Sequence, residues 1–134
     1  MLSRDILVRE TQLFVAVIAK LLGFKKAGQL LLAEKYIHDK SIEFLKVDFS
    51  ALLALEEEAF EKLLNDDKYN SKELYLMSEL LFEYAQMYSK GDSSAEIRNA
   101  YKKALTAFEY LENTEETYSL ERASKIELIR KILK

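Results

Sequence analysis

Residues 71–111 read SKELYLMSELLFEYAQMYSKGDSSAEIRNAYKKALTAFEYL, two helical patterns around one break. Asn70 with Glu73 three residues on is a capping-box start. From there to about Lys90 a narrow polar stripe, Glu79, Glu83, Gln86 and Lys90, interrupts a helix that is otherwise apolar or aromatic. Such a helix must be covered on most sides, so it should be the most buried element of the fold. Gly91-Asp92 breaks it. Ser93 with Glu96 repeats the capping-box pattern, and Ile97, Ala100, Tyr101, Ala104, Phe108 and Leu111 then recur at helical spacing. A short break between two helices makes them antiparallel neighbours.

Upstream, Ser3 is an N-cap for a first helix carrying Ile6, Leu13, Phe14, Val17, Ile18, Leu21 and Leu22. It ends at Gly23 or continues to a turn at Gly28. A second helix spans about 29–46, with Leu30, Ala33, Ile37 and Phe44 on one face. Asp48 or Ser50 opens a third, which runs through Leu52, Leu55, Ala59, Phe60 and Leu63 to the polar run Asn65-Asp66-Asp67. A sixth begins near Asn113 or Thr114, with Glu115 and Glu116 at its start and Arg130, Lys131 and Lys134 at its end, matching the helix dipole. No stretch alternates with period two, so no strands are expected. The expectation is one all-α domain over 1–134 of about six helices arranged as antiparallel helical hairpins: an apolar helix (1–27), a hairpin (28–69), a second hairpin (70–112) and a C-terminal capping helix (113–134).

The second hairpin resembles a tetratricopeptide repeat (TPR). Met87 to Asp92 is similar to the end of that repeat's first helix and its turn, and Ile97-x3-Tyr101-x2-Ala104-Leu105 to the small-x3-aromatic-x2-Ala signature of its second. One extra residue follows the turn, and Ile97 stands where alanine is usual. Gly28, Ala33 and Ile37 echo the pattern more faintly, with Lys40 in an alanine position. The resemblance implies a TPR-like stack that presents a surface to a protein or peptide; a compact helical bundle is the alternative. The chain also resembles small bacterial all-helical proteins with an apolar N-terminal helix and degenerate hairpins, an uncharacterised family with no activity attached.

The 134 residues include no cysteine, which removes disulfides, thiolate metal sites and a cysteine nucleophile and fits the cytoplasm. The apolar run Leu13 to Leu22 is too short to span a bilayer, and Asp5 and Glu10 ahead of it argue against a signal peptide. A net charge of -3 disfavours nucleic acid. The charge is uneven: residues 1–46 hold eight Lys and Arg against five Asp and Glu, residues 48–79 three against nine, and residues 80–134 nine of each.

His38 is the only histidine, with Glu34 one turn before it, and reads as a structural residue at the edge of an apolar face. Glu56-Glu57-Glu58 with Glu61 reads as a solvated acidic face, because consecutive helical residues point about 100° apart and cannot converge on one ion. No phosphate loop, nucleophile elbow or zinc motif occurs. The expectations are therefore no enzyme activity, no metal and no cofactor. The leading function is a non-catalytic protein-interaction module. Ser78, Leu81, Ala85, Tyr88 and Ser89, which share one face, are the candidate partner-binding residues. The rivals are a domain that binds a small apolar ligand, with His38 or a tyrosine as polar handle, and an enzyme with a carboxylate site assembled only by folding. Leu13 to Ala19 is apolar on every side, so something must cover its second face. A homodimer through Phe14, Val15 and Ile18 is the candidate.

Overall fold

Gly28 decides where the first helix stops. It adopts φ 73°, a conformation glycine enters without steric cost. Its N–H donates to the Lys25 carbonyl and that of Gln29 to the Phe24 carbonyl, both at 3.0 Å, which is the Schellman closure. Helix α1 (Arg4–Lys26) therefore runs through Gly23. The computed structural model describes residues 4–89 and 94–134, with side chains from residue 8 onward; Ser3, Lys90, Gly91, Asp92 and Ser93 lie outside the described residues.

The described residues are all-α, with seven helices. Helix α2 (Leu30–Lys40) passes into a π-helical turn, Ser41–Leu45, which ends at Lys46 in the left-handed region. The turn is held from both sides: the buried Ser41 hydroxyl donates to Val47 O at 2.7 Å and the Tyr69 hydroxyl to Leu45 O at 2.6 Å.

The expected third helix is two, α3 (Phe49–Ala54), capped by Asp48, and α4 (Glu57–Asn65), with Leu55 and Glu56 extended between them. No proline or glycine marks this break. Asn99, from far along the chain, donates to the Leu53 carbonyl at 2.7 Å and satisfies a backbone group that a continuing helix would have used. Glu57 and Glu58 then fall in the first turn of α4, where the helix dipole favours them.

Helix α5 (Ser71–Tyr88) starts on the reciprocal Asn70–Glu73 capping box and is the most buried element, as its pattern demands. Helix α6 (Ala95–Thr114) starts on Ser94, whose hydroxyl accepts from Ile97 N. Ala100, Ala104 and Ala107 are fully buried, and such small residues allow close packing on α5, while Tyr101 and Phe108 meet Phe82 edge-on. Helix α7 (Leu120–Leu133) starts on Ser119, later than the sequence suggests. Glu115 therefore lies in the α6–α7 connection, where Arg122 binds it and Glu112 at 2.8 and 2.9 Å.

Helices α1 and α2 cover α5 on one side, α6 lies against it, and α7 packs on α6. Two carboxylates of α5 tie the terminal helices to this centre: Glu83 pairs with Lys25 of α1 and Glu79 with Lys125 of α7, the latter at 2.7 Å. Among the described residues no helix is long and apolar enough to cross a membrane.

Candidate functional site

The face expected to bind a partner is closed. Ser78, Leu81 and Ala85 have no exposed surface, and the Ser78 hydroxyl turns back onto the Leu74 carbonyl at 2.6 Å. Tyr88 is half-buried, and Ser89 alone is exposed. A concave repeat surface needs one side of α5 left open, whereas here α1, α2, the π-helical turn and α6 all pack against α5, and Ser78, Leu81 and Ala85 are sealed.

The dimer residues divide as well. Phe14 and Ile18 are buried within the chain, Phe14 edge-on to Phe44 with centroids 5.3 Å apart. Val15 stands 52% exposed. The chain does not cover α1 on all sides: Leu13, Val15 and Leu22 face outward along with Val8.

What the fold assembles instead is a cleft of about 580 Å³ where α2, α3, α5 and the start of α6 meet. Glu34 and His38 come from α2 one turn apart, Leu53 and Ala54 from α3, Tyr84 from α5, and Glu96 and Asn99 from the first turns of α6. His38 lies edge-on to Phe49 at 5.4 Å, and its Nε2 is 3.8 Å from a Glu34 oxygen, an ion-pair distance too long for a hydrogen bond. The Tyr88 hydroxyl donates to the other Glu34 oxygen, and the Tyr84 hydroxyl to Glu96 at 3.1 Å. Asn99 is spent on the Leu53 carbonyl and on Lys103, whose ammonium donates to it at 2.9 Å.

Burial first, then the bond to Glu34, pushes the Tyr88 phenol up to about 12. Burial, the Glu96 bond and the nearby Glu34 charge raise Tyr84 too. Both phenols thus stay protonated at neutral pH and act as fixed donors, with the two carboxylates as acceptors. The arrangement suits holding a polar group against an apolar wall. Within the described residues no three or more His, Asp or Glu converge as metal ligands.

The sequence reading placed His38 beside Glu34 but missed Tyr84, Glu96 and Asn99, which reach the cleft from separate elements. The cap of α6 is Ser94, and Glu96 accepts from the Tyr84 hydroxyl. No family model, curated protein or solved structure matches the chain.

Proposed function

We propose that the chain is a non-catalytic protein-interaction module of TPR-like hairpins, working in the cytoplasm and docking a partner through its α1–α2 end. One observation carries this. Of the twelve large hydrophobic side chains exposed among the described residues, eight lie between residues 8 and 42, including Val8, Val15, Leu22, Leu31, Leu32 and Ile42. Monomers seldom leave so much apolar surface on one region without a use for it. The TPR-like reading draws support from the α5–α6 hairpin, with Tyr101 between the buried Ala100 and Ala104.

The test is affinity capture from native lysate with the intact chain and with Leu31→Asp, since Leu31 is 84% exposed and its loss leaves the core untouched. One stoichiometric partner, lost with the variant, is expected. A blank with the intact chain, or capture indifferent to Leu31, overturns the docking end.

The cleft favours a second reading, a small ligand with an apolar body and a polar head bound at His38 and Tyr84. Its volume lies within the range of ligand sites. Native mass spectrometry of freshly purified protein should then show a bound mass, and a bare chain in every preparation removes this reading.

A further inference from the structure

The outward face of α1 has a ridge and a charge. Val8, Val15 and Leu22 recur every seven residues, a ridge of about 21 Å, with the exposed small residues Ala16, Ala19 and Gly23 beside it. A Cβ built at Gly23 meets no atom within 4 Å, so packing within the chain does not require glycine there. The rim is basic: Arg9, Lys20 and Lys26 are exposed, and among the described residues none pairs with a carboxylate. Two such faces pressed together would gather like charge, which opposes a two-fold pairing of α1 with itself.

The opposite pattern lies on α4. Ala59 and Leu63, one turn apart on α4, and Leu55 from the extended link before it form the apolar part of an open surface patch. Glu56, Glu58, Glu61 and Asp66 rim it against one cation, Lys62. All four carboxylates are exposed, and none holds an ion pair among the described residues. Helix α1 packs on α2 and α5 whereas α4 packs on α6, so the two faces are separate surfaces of one molecule.

The geometry points to a second copy of this chain as the occupant: the basic apolar ridge of α1 seats on the acidic apolar face of α4 in the next molecule, head to tail. This pairing deepens the interaction-module reading and rests on it. A lipid surface fits less well. The phenylalanines of α1 turn inward, Phe14 onto Phe44 and Phe24 onto Tyr36, so the outward face presents aliphatic side chains and none of the aromatic rings with which an interfacial helix sits in a membrane. From Ala59 to Leu63 the α4 stripe is only about 6 Å long, so the contact is small and the association weak, salt-sensitive and concentration-dependent. A heterologous contact need not close, so longer chains follow at high concentration.

Sedimentation of the intact chain from micromolar to millimolar concentration tests it, with Val15→Glu and Ala59→Lys as exposed-site variants checked for helicity and melting. The intact chain should associate, less so in high salt, and each variant alone should be a monomer of 15.6 kDa. Mixed in equal amounts, the variants should form a one-to-one pair, because each retains the surface the other lacks. Lys26→Glu and Glu58→Lys, which alter only exposed charge, form a second pair expected to behave alike. Association by Ala59→Lys alone, with none restored on mixing, would indicate a two-fold α1 contact and overturn the proposal. So would an intact chain that stays monomeric at every concentration, or one that binds phosphatidylglycerol vesicles as a monomer. In those cases, capture of a partner through Leu31 would still stand or fall by itself.

Discussion

Lys125→Met removes the cation that α7 extends to the α5 carboxylate Glu79. The Glu79 side chain is 3% exposed and that of Lys125 17%. Both Glu79 oxygens accept from the ammonium, at 2.7 and 2.8 Å. Stripping one partner from a fully buried pair costs about 3–5 kcal/mol, chiefly as the penalty on the orphaned charge. Water reaches this site along the partly exposed lysine, so about 2–3 kcal/mol is expected here. At roughly 3–5 °C per kcal/mol for a chain of this length, Tm falls by about 6–15 °C.

The pH dependence separates an orphaned charge from lost packing. Burial holds the Glu79 carboxyl above its ordinary value against the pull of Lys125. The fold thus prefers the proton there, and this contribution is full below the unfolded carboxylate pKa and lost as pH rises through the folded one. Without the ammonium the folded value climbs further. The deficit relative to the parent chain is then largest near neutrality and shrinks in acid. Adding Glu79→Gln to the variant should recover most of the loss, since no charge remains to be buried. Thermal melts of the three proteins between about pH 4 and pH 7 decide it. A deficit equal at both ends, or no recovery in the double variant, refutes the orphaned charge as its cause.

The two described glycines should respond in opposite directions. Gly28→Ala forces a side chain into φ 73° and should cost about 1 kcal/mol, whereas Gly23→Ala, in a helix interior with open space around it, should gain about 0.5–1 kcal/mol in urea unfolding. Asn70→Ala removes the side-chain acceptor of the Glu73 N–H at 2.9 Å and should cost about 1 kcal/mol by the same measurement. A loss near zero would mean that the bond between Asn70 and Glu10 of α1, at 3.0 Å, adds nothing either.

The parts of this fold legible in the sequence are those governed by short-range chemistry. The capping box at Asn70, the left-handed stop at Gly28 and the burial of α5 each depend on residues within a few positions of one another. The split between α3 and α4 does not: the group that caps Leu53 is Asn99, 46 residues away, and no local pattern announces it. The roles of Glu79 and Glu83 were hidden for the same reason. Their stripe reads as a wet edge on α5, yet both are buried, because Lys25 and Lys125 arrive from the two ends of the chain.

The closed face of α5 shows a different limit. Ser78, Leu81 and Ala85 share a helix face whether it lines a groove or is sealed, since periodicity gives the direction of a side chain but not what lies opposite. Helix α1 marks the same boundary from the other side. Its excess of apolar residues is visible in Leu13 to Ala19, and so is the need for a cover. Which arc turns inward is set by α2 and α5, and they took Phe14 and Ile18 and left Val15. The uncovered arc keeps the basic bias of residues 1–46, and the acidic bias of residues 48–79 includes the exposed rim of α4. Charge asymmetry along a chain becomes a directional surface only when folding places the two biases on separate faces, and here it does so beside apolar stripes of helical spacing.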